Sequence, residues 1–177
     1  MDCRLPIAKV AVFFMAALPT CTVPRRTWTP LQDPTQLDDT AFLHFLATVP
    51  TVTVDEGSRA VLLLIGPTDR WATFEQRWAE LERRGGVKAA WRLSPGDTLD
   101  KGTLAHMLRA VCDLPPGLNE LLAAPAGLGD RRYALRTCVY HGLLSYGLPH
   151  DSVTGGELLS ALSAAESRVA CRVANGP

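Results

Sequence analysis

Val153-Thr154-Gly155-Gly156-Glu157-Leu158-Leu159 decides the fold, because two weaker versions of it stand upstream. One is Leu99-Asp100-Lys101-Gly102-Thr103-Leu104-Ala105 and the other is Val54-Asp55-Glu56-Gly57-Ser58-Arg59-Ala60. Each runs from an apolar residue through an oxygen-bearing side chain to a glycine, then into an apolar run at helical spacing. Gly57, Gly102 and Gly156 fall roughly 45 and roughly 54 residues apart, a range in which internal repeats mark a modular array. Physically the stretch is a helix start. Thr154 and Glu157 spell a capping box, in which the hydroxyl accepts from the N3 amide and the carboxylate reaches back to the N-cap amide. Val153 and Leu158 are placed to staple it, and Asp100 repeats the logic between Leu99 and Leu104 without the glutamate. A cap contributes about 1 kcal/mol, which explains the recurrence without any ligand.

Around these starts the chain reads as helices separated by breakers. Asp39 or Thr40 caps a short helix carrying Phe42, Leu43, Phe45 and Leu46, which Pro50 terminates. Thr51 to Val54 is extended, and the helix through Ala60 to Ile65 is apolar on nearly every side, so it should be the most buried. Phe74, Trp78 and Leu81 form the core face of the next helix, opposite a charged and solvated face. Gly85-Gly86 ends it, and an extended Val87 to Leu93 places Trp91 against the core. The second copy's helix carries Leu104, Met107, Leu108 and Val111. A short helix through Leu118, Leu121 and Leu122 follows, then a Gly/Ala/Pro-rich loop at 123–129. Asp130 caps a helix with Tyr133, Ala134, Cys138 and His141 along one side, and the third copy's helix carries Leu158, Leu159, Leu162 and Ala165. Residues 171–177 form a frayed tail.

Composition sets limits on partners. A chain of 177 residues with 47% hydrophobic residues and a formal net charge of +0 is globular, without the basic excess that nucleic-acid binding needs. Residues 1–20 read differently. Arg4 and Lys9 precede the uncharged run Val10 to Leu18, which has signal-peptide length and is too short for a spanning helix. Leu18-Pro19-Thr20-Cys21 follows and resembles the lipobox of bacterial lipoproteins. That resemblance implies export, with Cys21 as the acylated residue and membrane lipid as its partner; an ordinary signal peptide is the alternative. Residues 21–38, with Pro24, Pro30 and Pro34, read as a tether. In an oxidising compartment Cys112 and Cys138 are the preferred disulfide, against the alternative of buried thiols acting as small apolar residues.

The repeat layout resembles the S-layer homology (SLH) domain. That family has an aromatic-Ala pair on a first helix, a glycine-containing loop, a Pro-rich connector and a Thr-Arg-Ala-Glu motif opening a second helix, usually in three copies. Here Trp78-Ala79 with Gly86 corresponds to Tyr133-Ala134 with Gly142. Thr154-Gly155-Gly156-Glu157 keeps the Thr and Glu of the motif. The second copy has Lys101 and Thr103 at the Arg and Glu positions, and the first has Glu56 and Ser58. The resemblance spans residues 39–170 and implies a mainly α fold of about three tandem helix–loop–helix repeats packed as a bundle. It also implies attachment to an anionic cell-wall glycan, with Lys101 as the cation at a motif site.

Other chemistry is sparse. His44, His106, His141 and His150 lack metal spacing, and no GxSxG elbow or phosphate loop occurs. No cofactor or metal is expected. Asp130-Arg131-Arg132 is a helix start whose arginines offer an anion contact. Trp71 and the tether's Trp28 are the candidate sugar platforms, since Trp78 and Trp91 fit the core pattern. The expected function is an exported, non-catalytic scaffold of the cell envelope, its partner an envelope protein. One alternative is an anchor binding cell-wall glycan or peptidoglycan near Lys101, Arg131, Glu157 and Trp71. The other is an enzyme with a dispersed site at His141, His150 and Asp151.

Overall fold

The computed structural model describes residues 33–117 and 130–175, the last six as helix backbone only. The signal-like segment, Cys21, Trp28, the segment around Leu118 to Leu122 with the loop after it, and the Cys171 side chain lie outside the described residues. What is described is mainly α. The helices are α1 (Asp39–Thr48), α2 (Val54–Leu62), α3 (Phe74–Arg83), α4 (Lys101–Val111), α5 (Asp130–Tyr140) and α6 (Gly155–Asn175), with short 3-10 turns at Pro34–Gln36, Thr68–Trp71 and Ala89–Trp91.

Each start has a chemical cause. The Asp38 carboxylate accepts from Ala41 N at 2.7 Å, so the cap of α1 is Asp38 and neither Asp39 nor Thr40. Thr53 with Glu56 and Thr73 with Gln76 form capping boxes at α2 and α3. Asp100 accepts from Thr103 N at 2.6 Å to open α4. Thr154 and Glu157 form the capping box read from the sequence, at 3.2 and 3.1 Å. Val153 and Leu158, the expected staple, are both buried.

The residues preceding three of these caps meet in a closed ring. Val52 N donates to Val153 O at 2.9 Å, Leu99 N to Val52 O at 2.9 Å, and Val153 N to Leu99 O at 3.0 Å. All three side chains are buried. A second cycle surrounds the first: Val54 N donates to Asp97 O at 2.8 Å, Lys101 N to Asp151 O at 2.9 Å, and Gly155 N to Val49 O at 2.9 Å. The orphan amides at the starts of α2, α4 and α6 are thereby satisfied by the next connector in the cycle, as buried amides must be.

Two of these connectors share a turn. In Ser94-Pro95-Gly96-Asp97 the Asp97 carboxylate accepts from Ser94 N at 2.7 Å, and in Leu148-Pro149-His150-Asp151 the Asp151 carboxylate accepts from Leu148 N at 2.8 Å. A carboxylate that bonds its own turn spares the backbone an unsatisfied donor.

The ring corrects two registers. The glycines align Asp55 with Asp100, but Thr53 is the residue in the equivalent place, two positions earlier. The stretch in register with Thr154 to Glu157 is therefore Thr53-Val54-Asp55-Glu56, with the same Thr and Glu capping box. Gly57 then stands where α4 has Leu104 and α6 has Leu158, both buried. The Leu99 side chain fills the vacancy, with Cδ2 2.4 Å from where a Gly57 Cβ would lie. The Trp78-Ala79 and Tyr133-Ala134 pairs are also out of step. The matching turns place φ 73° at Gly85 and φ 72° at Gly142, which sets Trp78 opposite Leu135. Ala79 is exposed while Ala134 is buried.

Packing closes the molecule. α3 packs on α2, α5 on α4, and α1 returns to pack on α6. The most enclosed helix is α4 rather than α2, with Lys101 to Leu108 all buried in succession. Phe74, Trp78 and Leu81 form the core face of α3 as expected: Trp78 is half-buried beside Phe74 and packed against the core, and Leu81 is fully buried. Cys112 and Cys138 are both buried and not bridged to each other, so the expected disulfide is not formed. The reason is placement along α4: Cys138 Sγ donates to Ala105 O at 3.3 Å, two turns before Cys112. Two turns are about 10 Å of helix, beyond the roughly 7 Å that a bridge tolerates between Cα atoms.

Candidate functional site

A groove of about 810 Å³ runs along α5. One wall is α5 itself, with Arg132, Arg136 and Tyr140 at i, i+4 and i+8, a spacing that puts them on one face. The opposite wall is the connector from Tyr146 to His150, and Trp91 with Asp100 closes one end. Its rim is unusual for a protein surface. Tyr140 is 86% exposed, Tyr146 88% and Leu148 59%. These three are the large apolar side chains that stand in solvent among the described residues.

The charges in the groove divide into spent and free. Arg131 donates to Asp100 at 3.0 Å and lies over the Trp91 ring, with Cζ 4.3 Å from its centroid. Asp130 is bonded to Lys88. Among the described residues, Arg132 and Arg136 have no carboxylate partner. The groove therefore presents two free guanidiniums, a third held over an indole, and two exposed tyrosines. Guanidiniums supply paired donors to carboxylate or phosphate, and aromatic faces offer apolar stacking area with a polar tip.

Lys101 does not reach this groove as a free cation. It is 8% exposed and its Nζ sits 2.9 Å from Glu157 Oε1, tying the start of α4 to the start of α6. Burial pushes the Glu157 carboxyl up, but the Lys101 ammonium and the Thr154 amide and hydroxyl outweigh it and hold it below the usual glutamate value. This pair lines a separate cavity of about 560 Å³ with Leu143, Ser145 and Ser160. Gly147 is the thin place between the two, because a Cβ there would lie 3.1 Å from Lys101 Nζ and 2.9 Å from Asp151 Oδ2.

Trp71, the other expected glycan residue, is half-buried against the core and lines neither cavity; its carbonyl accepts from Arg77 at 2.9 Å. Of the four residues named for glycan binding, Lys101 and Glu157 thus come together with each other, Arg131 lines the groove, and Trp71 stands apart. Trp91 packs half-buried against the core, as expected, and also lines the groove; Arg136, Tyr140 and Tyr146 are the lining residues that sequence reasoning overlooks. The i, i+4, i+8 stripe on α5 is the signal that finds two of those three.

Of the dispersed histidine site, His150 lines the groove and His141 does not. His141 stacks edge-on to Tyr140, with centroids 5.2 Å apart, and burial and Arg168 lower its pKa. Asp151 is used by its turn, and no hydrogen bond links His141 to His150 or Asp151. Among the described residues no group of His, Cys, Asp and Glu is placed to hold a metal ion. No described helix is long and apolar enough to cross a membrane. Comparison with protein-family models, with curated proteins and with solved structures finds no match to this chain.

Proposed function

We propose that this chain is a non-catalytic, exported binding protein of the cell envelope, and that the α5 groove holds an anionic stretch of cell-wall glycan. The observation that carries this reading is the pairing of free guanidiniums at Arg132 and Arg136 with the exposed rings of Tyr140 and Tyr146 in one open cavity. Sugar rings present apolar faces that stack on aromatics, and their acidic substituents take bidentate arginine bonds. The ring of three helix starts supports the accompanying proposal of three SLH-like units, with Thr53-Val54-Asp55-Glu56 and Thr154-Gly155-Gly156-Glu157 as its two fuller motif copies. The run Val10 to Leu18 before Cys21 supports export, with Cys21 as the lipid attachment point.

The test is retention of the purified full chain by isolated cell-wall sacculi at low and moderate salt. Retention that falls with salt, and falls at least tenfold in the Arg132→Ala/Arg136→Ala double variant, is the expected result. Absence of retention at low salt, or retention indifferent to both, overturns it. The exposure of Tyr140, Tyr146 and Leu148 also favours a second reading, in which the same rim docks an envelope protein. In that case binding survives in a sacculus-free envelope extract and is lost in Tyr140→Ala/Tyr146→Ala.

A further inference from the structure

Trp91 closes the end of the groove; its amide donates to the Lys88 carbonyl at 3.0 Å, and side chains from two helices hold the indole. It ends a three-residue turn, Ala89–Trp91, and the next residue, Arg92, sits at φ 49° in the left-handed region. Arg131 covers the indole from the groove helix. From α4, His106 meets the indole edge-on, with ring centroids 5.0 Å apart and planes at 76°. His106 is 3% exposed, and its Nδ1 lies 3.0 Å from the Gly86 carbonyl. A carbonyl only accepts, so Nδ1 carries a proton, and Nε2 is the nitrogen at which the ring gains or loses its charge.

We infer that His106 is a positioning residue for Trp91, and that protonating it releases the indole so that the groove loses its aromatic end in acid while the helices remain folded. The charges around the ring make a further cation costly. Arg109 acts from its own helix and Lys88 from the loop after α3; Asp130 is the opposing carboxylate, already bonded to Lys88, and Arg131 from α5 lies over the indole. Burial is the main cause that holds His106 below the ordinary histidine value; the Gly86 carbonyl and Asp130 pull the other way, and Arg109 and Lys88 add to the lowering. The neutral ring therefore belongs to the closed wall. Its contribution is complete above about pH 6.5, the unperturbed value, and is lost as pH falls from there through the lower folded value. The consequence for a ligand rests on the groove being the binding site. The release of the indole does not.

The experiment is a titration of the full chain from pH 8 to pH 5, following the Trp91 indole N–H by NMR (assigned with Trp91→Phe) alongside far-UV circular dichroism. The expected result is an indole signal that shifts or broadens with a midpoint below 6.5, at unchanged helicity, and that stays still in His106→Asn. A signal flat across the range overturns the inference. So does helicity lost at the same midpoint, or an indole shift that persists unchanged in His106→Asn. Should that variant fail to fold, the His106 ring titration in the native chain replaces it, and a midpoint different from that of the indole overturns the inference. Sacculi that bind at no pH while the indole still titrates would sink the glycan reading and leave this one standing.

Discussion

Gly155 and Lys101 occupy the same place in the ring, the first residue of a motif helix, and they could hardly differ more. Each donates its amide to a neighbouring connector at 2.9 Å. Above Gly155 there is no room at all, since a Cβ would sit 1.7 Å from the Leu46 carbonyl oxygen at the end of α1. Above Lys101 a long side chain runs to Glu157. The backbone cycle sets where the helices start, and what packs over each start is free to vary. Architecture is carried by main-chain bonds that many sequences can make, so the side chains over the three starts need not match.

The sharpest way to break this comparison is to put a methyl group where none fits. Gly155→Ala forces the start of α6 away from α1, against backbone atoms that cannot rotate aside. Overpacking against flexible side chains costs about 1–3 kcal/mol, and a backbone collision exceeds that range, so loss of about 3 kcal/mol or more is expected in chemical denaturation. Gly57→Ala meets the far end of the Leu99 side chain instead, and its loss should be the smaller of the two. Equal losses would show that the ring tolerates movement of α1.

The caps rank next. Thr53 is buried in its box with Glu56, whereas Thr154 is exposed in its own. Thr53→Ala should cost about 1–2 kcal/mol and Thr154→Ala about 0.5–1 kcal/mol, the range observed for N-caps, because water can replace the lost acceptor only at Thr154. Denaturation midpoints at pH 7 check the order. A reversed order would mean that the α6 start, not the α2 start, anchors the ring.

The capping boxes also show how much was legible in the sequence. Thr154 with Glu157 is local chemistry, and it reads directly because all its partners lie within four residues. The first copy misaligns because glycine was the guide. Gly57 and Gly102 answer to different neighbours, the Leu99 side chain in one case and Arg131 Cβ with the Pro149 carbonyl in the other, so matching one to the other shifts the register by two. Helix existence and the apolar stripes of α1, α4 and α6 were readable from periodicity. The groove was not, because Trp91, the α5 arginines and Tyr146 come from three separated segments that only the closure of the ring brings together.

Lys101→Met sharpens the same comparison with the smallest effect on stability. Methionine keeps most of the apolar stem inside the cavity wall and removes the charge, leaving Glu157 with its Thr154 bonds. Glu157 is partly exposed, so water takes over much of the lost pairing and the cost at pH 7 should stay below about 1 kcal/mol. The diagnostic is the acid limb. A carboxylate held below its ordinary value contributes stability above about pH 4.5 that is lost as pH falls through the folded value. Without the Lys101 ammonium, burial again pushes the Glu157 carboxyl up, the gap to the unfolded value narrows, and the variant should lose less stability than the native chain between pH 6 and pH 3. Parallel acid limbs would mean that the Thr154 cap alone holds Glu157 down. In that case Lys101 would be inert at the one ring position where the resemblance to cell-wall anchors places a cation.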